Sequence, residues 1–260
     1  MVFLTDLADA ARKSGLRVVG LPGWKSRGRP ASTGGFDPMG VLCHHTAGES
    51  DSRDYVEWMA YTGRTDLPAP LCQLALDRQG TVYVCAAGRS NHAGTSGGSG
   101  PIPRGDGNAL LVGIEAMNTG SEGWTPQQYD AYVALCAALC RHYGWPASHV
   151  RAHKETSVTG KVDPSGRTPH GPAFDMDRFR ADVARLIRDG EDWLDMATEQ
   201  EVRAIVREEV GKIVDAIWGA PAYPGAKDKD RADLTMREAV RRTGSAAFIK
   251  GQIDDVEGKL

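Results

Sequence analysis

The chain has 260 residues and a formal net charge of −3, and 41% of its residues are hydrophobic and 25% charged. This length predicts one domain with an appendage, or two small domains, and the composition is typical of a globular protein with a sizeable core. Nucleic acid is not favoured as the main partner, because the chain has no basic excess to neutralise phosphates.

The N-terminal segment does not resemble a secretory signal. Residues 1–6 contain no basic region followed by a long apolar stretch, and no run in the chain approaches the length of a membrane-spanning helix. We therefore expect synthesis in the cytoplasm without a signal peptide. Action outside the membrane would then require a separate route of release.

The chain contains five cysteines, an odd number without the dense spacing of a disulfide framework. Cys136 and Cys140 lie four residues apart in a helical pattern. They could form a metal or redox pair, or they could pack as small buried side chains on one face of a helix. The second interpretation is favoured because free cysteine is usually buried.

The first third of the chain predicts short elements separated by a long loop. Helical spacing of apolar residues indicates a helix over residues 3–11, ended by Gly15, and a strand over residues 16–19. The stretch 20–36 is rich in Gly, Pro, Ser and Arg and is typical of a loop. A buried strand over residues 41–43 ends at His44 and His45, and a helix follows over residues 54–61.

The middle of the chain predicts a β-hairpin from two apolar runs, residues 71–76 and 81–85, joined by a turn at residues 77–80. A Gly-, Ser- and Pro-rich loop over residues 88–107 precedes another strand at residues 109–115. Thr125 and Pro126 then fit the cap and first position of a long helix that Gly144 ends. A further helix is expected over residues 175–187, closed by Gly190.

Strands that alternate with helices indicate an α/β domain over residues 1–190. Beyond Trp193 the pattern changes to a narrow apolar stripe with Glu and Arg on the other faces. The stripe consists of Val202, Val206, Val210, Ile213 and Ile217. It predicts an amphipathic or coiled-coil-like helix, so residues 191–260 are expected to form a helical C-terminal extension.

Three widely separated residues form a potential metal site. His44 follows a buried strand, His153 follows another short apolar segment, and Asp163 lies ten residues further on. Two imidazoles and one carboxylate commonly hold a catalytic zinc and leave a fourth position open. The spacing is not the two-histidine helix motif, so a sheet must bring the segments together. Each residue alone has an ordinary structural explanation, such as a packed histidine or a turn-forming aspartate.

Glu115 ends an apolar strand, and its carboxylate could project into the same cleft. A partly desolvated glutamate there is suited to general-base catalysis. The alternative is a solvated strand end.

Five segments, in order, resemble the zinc-dependent N-acetylmuramoyl-L-alanine amidases, the type 2 amidase family that includes peptidoglycan recognition proteins and many phage endolysins. The resemblance covers about residues 38–190. The matching segments are His44-His45-Thr46-Ala47-Gly48, Asp77-Arg78-Gln79-Gly80-Thr81-Val82-Tyr83, Asn91-His92-Ala93-Gly94, Gly113-Ile114-Glu115, and His153 with Lys161-Val162-Asp163-Pro164. A softer similarity, to the entry segment of actinobacterial phage amidases, lies at Gly23-Trp24.

This resemblance implies an α/β fold with a mixed central sheet flanked by helices, and a Zn²⁺ ion held by His44, His153 and Asp163. His44 is chosen over His45 because the family's ligand is the first histidine of the pair. Adjacent strand residues also point to opposite faces, so both are not expected to bind one ion.

The resemblance also implies roles for three further residues. Glu115 would be the general base, and Lys161 would stabilise the oxyanion as the amide carbon becomes tetrahedral. A surface lysine is the alternative for Lys161. His92 is a candidate wall of the substrate groove, although a histidine in a glycine-rich loop could equally be exposed and without a role.

The chain departs from the family at one position. Many members carry a tyrosine at the start of the strand that leads into the Asp-Arg-Gln-Gly turn, whereas this chain has Cys72 near that position. A hydroxyl donor is therefore missing, which leaves more of the chemistry to Glu115 and Lys161. A nucleophilic role for Cys72 is not expected, because the sequence shows no positioned His–Asp partner.

The expected activity is zinc-dependent cleavage of the amide bond between N-acetylmuramic acid and L-alanine in peptidoglycan. A phage or prophage endolysin that reaches the cell wall after release is the first hypothesis, with the C-terminal extension serving wall binding or homo-oligomerisation. The alternatives are a cytosolic muropeptide-recycling amidase, a peptidoglycan-binding module without activity, and a structural phage protein that carries an amidase domain. The intact ligand set argues against the binding module.

Overall fold

A computed structural model describes residues 2–196 of the protein, with side chains up to residue 189. One compact unit covers Met1–Glu191. Apart from the end of the last helix, the predicted C-terminal extension, residues 191–260, lies outside the described residues, and its apolar stripe remains a prediction.

The helices are α1 (Leu7–Arg12), α2 (Arg53–Tyr61), α3 (Gly107–Leu110), α4 (Pro126–Tyr143), α5 (His153–Thr156) and α6 (Met176–Met196). The strands are β1 (Val18–Gly20), β2 (Val41–His45), β3 (Gly63–Arg64), β4 (Leu67–Pro68), β5 (Leu74–Leu76), β6 (Val82–Val84), β7 (Thr95–Ser99), β8 (Ile102–Asp106), β9 (Val112–Ala116) and β10 (Val150–Ala152). Among the described residues, no helix combines the length and apolar character needed to cross a membrane.

Within residues 2–196 the central sheet has six strands in the order β1-β6-β5-β9-β2-β10. The predicted hairpin β5–β6 is antiparallel, and the other neighbouring strands pair parallel. Two small antiparallel ribbons, β3–β4 and β7–β8, lie outside the sheet. The predicted fold class, α/β with a mixed central sheet flanked by helices, is confirmed.

The alternation of side chains along β2 decides which histidine faces which side of the sheet. Val41 and Cys43 are buried in the main core together with residues of α1, α4 and α6. Leu42 belongs to a separate apolar cluster on the other side, with Ala93 and Ile102. Because successive side chains of a strand point to opposite faces, His44 shares the side of Leu42.

Helix α4 begins and ends where its sequence predicts. The Thr125 side chain accepts a hydrogen bond from the backbone N–H of Gln128, Pro126 occupies the first turn, and Gly144 closes the helix in the left-handed conformation. Gly144 suits this position because glycine adopts positive φ without steric cost. The inner face of α4 is buried against the sheet and anchors one side of it.

Two predictions about local structure are wrong. Residues 88–107 are not a loop throughout, since β7 and β8 form a hairpin there that lacks an alternating apolar pattern. Helix α6 continues past Gly190 to Met196. A glycine inside a helix costs only about 1 kcal/mol relative to alanine, which a long helix tolerates.

Candidate metal centre and active site

Parallel pairing places His44 and Glu115 side by side at the carboxyl ends of two strands. His44 on β2 is in register with Glu115 on β9, and β10 pairs with the other edge of β2 so that Ala152 lies beside Cys43. His153 follows Ala152 directly and begins α5. Three chain segments that are distant in sequence therefore meet at one edge of the sheet.

His44, His153 and Asp163 form a group whose potential ligand atoms all lie within 4.8 Å of one another. Oδ2 of Asp163 lies 2.9 Å from Nδ1 of His44 and 3.2 Å from Nδ1 of His153. Zinc bonds of 2.0–2.2 Å in tetrahedral geometry separate ligand atoms by roughly 3.3–3.6 Å. The structure thus brings together the three predicted ligands at nearly the spacing that a zinc ion requires.

The hydrogen bond on the far side of His153 supports a metal at this point. Nε2 of His153 lies 3.2 Å from the carbonyl oxygen of Ala93, which can only accept a hydrogen bond. In the neutral ring, Nε2 therefore carries the proton, and the Nδ1 lone pair faces the Asp163 carboxylate. A lone pair directed at an anionic oxygen is favourable only when a cation lies between them, so the donor set fits a metal ion.

Burial and close neighbours shift the pKa values of this group. Burial alone would raise the pKa of Asp163, but its close contacts with the imidazoles of His153 and His44 hold it well below its usual range. Burial lowers the pKa of His44, although Asp163 opposes that change. The Asp163 carboxylate is therefore charged, whereas burial favours the neutral form of the His44 ring beside it.

Glu115 faces the same group of residues. Its Oε1 lies 3.9 Å from Nδ1 of His44, and its side chain is 17% exposed. Burial and repulsion from Asp163 raise the pKa of Glu115 to about 8, although Lys161 opposes the shift. A carboxyl group that is partly desolvated and close to the metal ligands is suited to accept and return a proton.

His45 points away from these ligands. Its Nδ1 accepts a hydrogen bond from the backbone N–H of Ser165 at 3.1 Å, and its ring packs so closely on Gly120 that a Cβ atom there would lie 2.5 Å from it. Ser165 lies two residues after Asp163. His45 is therefore in position to support the segment that carries the carboxylate ligand.

A cleft of about 490 Å³ opens over these residues. The cleft is lined by the group His44, Glu115, His153 and Asp163, together with His92 and the exposed Lys161. Tyr55 and Trp58 of α2 also line the cleft, and their rings stack with centroids 5.4 Å apart. The structure thus places every predicted site residue in one cleft.

His92 lies behind His44 rather than at an exposed loop tip. Its side chain is buried, and Nδ1 lies 3.1 Å from Nε2 of His44 while Nε2 lies 3.2 Å from the carbonyl oxygen of Leu111. Burial and the neighbouring imidazoles lower the pKa of His92 well below its usual value. Both ring nitrogens have protein partners, which leaves ring carbons for any contact with a substrate.

Cys72, the position at which the family's tyrosine is missing, is fully buried beside Cys85 and Leu71. Its hydrogen bond with Cys85, together with burial, raises the pKa of the Cys72 thiol well above its usual value. A thiol that stays protonated is a poor nucleophile, in keeping with the prediction that Cys72 does not attack the substrate.

Two residues that support the site carry no signal in the sequence. The hydroxyl of Tyr132 on α4 accepts from the backbone N–H of His44 at 2.9 Å and lies 3.1 Å from the His44 and Ile114 carbonyl oxygens. Oδ1 of Asn108 accepts from the backbone N–H groups of His92 and Ala93, each at 2.8 Å. Tyr132 appears in the sequence as part of an apolar helix face, and Asn108 as an ordinary turn former.

The site agrees with a match to a known protein family. A sequence profile for N-acetylmuramoyl-L-alanine amidases matches residues 34–166, which is just over half of the chain and includes all three potential ligands. The chain belongs to this amidase family. The match also spans Glu115, Lys161 and the His92 loop.

Curated relatives include the 1,6-anhydro-N-acetylmuramyl-L-alanine amidase AmpD of Enterobacter cloacae, 33% identical over 110 residues, or 42% of this chain and 54% of that protein. AmpD of Escherichia coli strain K12 is 32% identical over 114 residues, which is 44% of this chain and 57% of that protein. This amidase-family chain therefore spans about half the length of the curated relatives it matches.

Among solved structures, the N-acetylmuramoyl-L-alanine amidase LysC from Clostridium intestinale URNW is similar over 64% of this chain and 95% of that chain, with a TM-score of 0.43 and 21% identity. The family assignment follows from the profile match, and structural similarity at that level adds nothing to it.

Proposed function

We propose that the protein is a zinc-dependent amidase that cleaves the bond between N-acetylmuramic acid and L-alanine in peptidoglycan. The observation that carries this proposal is the convergence of His44, His153 and Asp163 with Glu115 beside them in one cleft. Membership of the amidase family supports the same conclusion.

The three ligands would hold Zn²⁺ and leave a position open toward the cleft. A zinc ion bound there would supply a Lewis acid that lowers the pKa of water and polarises a carbonyl group. Glu115 lies beside the ligands, with its Oε1 3.9 Å from Nδ1 of His44.

The chain's own residues provide the proton transfers and charge stabilisation. Glu115 takes the proton of the attacking water and later returns it to the departing L-alanine nitrogen. Lys161, on the exposed side of the cleft, stabilises the negative charge that develops on the lactyl carbonyl oxygen as its carbon becomes tetrahedral. The amide bond breaks, and a muramoyl carboxylate and a peptide beginning with L-alanine result.

The biological role that we propose is lysis of the cell wall by a phage or prophage endolysin. In this proposal residues 191–260 serve wall binding or homo-oligomerisation. A second candidate is the recycling of soluble muropeptides, because the curated relatives above are named 1,6-anhydro-N-acetylmuramyl-L-alanine amidases. The two roles differ in whether the substrate is the polymeric wall or a soluble fragment.

The test is to incubate the full-length protein, with and without added zinc, with purified sacculi and separately with a soluble 1,6-anhydromuropeptide. Mass spectrometry should show new muramoyl carboxylates and intact peptides that begin with L-alanine. Faster turnover of sacculi supports the endolysin, whereas turnover of the soluble fragment alone supports recycling.

The matched control for this experiment is the Glu115→Gln protein, which keeps the shape of the side chain. It should bind zinc and sacculi but release peptide at least about 10²-fold more slowly than the wild type. Products cut at a glycosidic bond or within the peptide would contradict the amidase proposal. Binding of sacculi without any product from the wild-type protein would indicate a binding module instead.

A further inference from the structure

The hydrogen-bond chain behind His44 runs through His92 to the backbone of Leu111. Nε2 of His44 lies 3.1 Å from Nδ1 of His92, and Nε2 of His92 lies 3.2 Å from the Leu111 carbonyl oxygen. The ring planes of His44 and His92 are perpendicular. Both rings are buried, with exposed fractions of 1% and 9%.

The Leu111 carbonyl oxygen determines which ring nitrogens donate and which accept in these two hydrogen bonds. A carbonyl oxygen only accepts hydrogen bonds, so Nε2 of His92 must donate and its Nδ1 is the acceptor of the neutral ring. His44 must then donate from Nε2, which leaves a lone pair on its Nδ1. That atom is the one that lies 2.9 Å from Asp163 Oδ2 and belongs to the potential metal site.

The position of His92 is itself fixed by its surroundings. Its ring packs closely against Gly113 on β9, where a Cβ atom would lie 2.6 Å from ring atoms Cγ and Nδ1. Its backbone N–H donates to Oδ1 of Asn108, as does that of Ala93. Ala93 in turn offers the carbonyl oxygen that lies 3.2 Å from Nε2 of His153. The loop clamped by Asn108 therefore orients both imidazoles.

We propose that His92 is a positioning residue that fixes the tautomer and orientation of His44, so that Nδ1 of His44 is presented to the metal. Its Nδ1 accepts a hydrogen bond from Nε2 of His44, and His92 does not itself ligate the ion. This inference rests on the metal site of the proposed function. It assigns His92 a role in metal binding that is separate from the predicted contact with substrate.

Two substitutions of His92 test the hydrogen bonds of its two ring nitrogens separately. His92→Asn places an amide oxygen near the position of Nδ1 and retains the acceptor for His44. His92→Gln places an amide nitrogen near the position of Nε2 and retains the donor to Leu111, but it removes the acceptor. His149→Gln is a matched control, because the Nδ1 of that ring bonds to the Met39 carbonyl oxygen on another part of the chain.

The measurement is the zinc dissociation constant of each full-length protein, obtained by competition with a coloured chelator, after thermal unfolding of the metal-free proteins has been compared. Loss of an outer-shell partner weakens metal binding by about 10–100-fold, and we expect that loss for His92→Gln. His92→Asn should stay within about threefold of the wild type, since the acceptor is kept. The His149→Gln control should be unchanged.

Equal zinc affinity of the wild type and both His92 variants would overturn the inference, and so would equal weakening of both, which would indicate a role in packing alone. If the wild type binds no zinc, the metal site of the proposed function fails as well. The two failures are distinguishable, because the wild-type measurement shows whether the protein binds zinc before the variants are compared.

A measurement on the wild type does not depend on how the variants fold. In ¹⁵N NMR spectra of the zinc-loaded protein, His44 should be coordinated through Nδ1 and protonated at Nε2, and Nδ1 of His92 should be unprotonated. Coordination of His44 through Nε2, or a proton on Nδ1 of His92, would contradict the inference.

Discussion

The two sides of the cleft differ in how firmly the fold holds them. On the inner side, His44 and Glu115 lie at the ends of paired strands, and the backbone of His44 is bonded to Tyr132 from α4. On the rim, Lys161 is exposed and its neighbour Val162 is 65% exposed. The inner side is largely buried, whereas the rim faces solvent.

This difference indicates that the inner side and the rim have different roles, metal binding and stabilisation of charge on the substrate. Groups that bind a metal ion must be held close to their final geometry before the ion arrives, and buried strand ends provide that preorganisation. A group that stabilises charge on the substrate can face the open cleft, because the substrate itself excludes water there. Substitutions of the metal ligands on the inner side, or of the residues that support them, should therefore affect metal content or stability, and substitutions on the rim should affect turnover alone.

Removal of a ligand from the inner side should have the largest effect. Asp163→Ala leaves two imidazoles without the carboxylate that lies 2.9 and 3.2 Å from them. Zinc content measured by atomic emission should fall to background, and activity on peptidoglycan should be lost. Asp130→Ala, at an exposed position on α4, serves as the control and should keep both. One zinc ion per chain in Asp163→Ala would remove Asp163 from the ligand set.

Loss of the proposed base should separate chemistry from metal binding. Glu115→Gln keeps the size of the side chain but cannot accept a proton, and general-base catalysis contributes about 10²–10⁴-fold to rate. We expect kcat to fall by about that factor while zinc stoichiometry stays at the wild-type value. The exposed Glu49→Gln is the control. Retention of wild-type kcat would show that another group takes the proton.

Substitution of Lys161 on the rim should lower kcat without changing stability or zinc affinity. Lys161→Met removes the cation but keeps a long side chain, and loss of one oxyanion-stabilising donor costs about 10²-fold or more in kcat. Thermal unfolding and zinc affinity should match the wild type because Lys161 is exposed. Lys13→Met, also exposed, should leave kcat unchanged. A comparable drop in zinc affinity would mean that the rim and the metal site are not separate.

The smallest effect on activity is expected at Tyr132 on α4, which supports the inner side from the core. Its substitution should lower the free energy of unfolding instead. Tyr132→Phe leaves the buried backbone N–H of His44 without its partner, which costs about 1–3 kcal/mol in the free energy of unfolding. Urea denaturation should show this loss. Tyr61→Phe, whose hydroxyl is exposed, should change stability by less than about 0.5 kcal/mol. An unchanged unfolding midpoint in Tyr132→Phe would show that the hydroxyl does not support β2.

Much of the fold could be predicted because its signals are local. Thr125, Pro126 and Gly144 mark the ends of α4 through capping chemistry that depends only on neighbouring residues. The β7–β8 hairpin could not be predicted, because its strands carry Gly, Ser and charged residues and Ile102 is its main buried apolar side chain.

The residues of the candidate site also fall into those that the sequence could predict and those that it could not. His44, Glu115 and His153 could be proposed because each ends or follows a short apolar segment, and the resemblance to the amidases supported Asp163 and the grouping of all four. Asn108 and Tyr132 could not be proposed. Their roles arise from contacts with residues 16 and 88 positions away in the chain, which no local pattern specifies.

The central claim is that His44, His153 and Asp163 bind one zinc ion through Nδ1, Nδ1 and a carboxylate oxygen. Anomalous diffraction at the zinc absorption edge, from crystals of the protein loaded with zinc, tests it most directly. We predict a single peak in the cleft, about 2.0–2.2 Å from each of these three atoms. A peak bound by His45 or by Nε2 of His44, or no peak among these residues, would contradict the account.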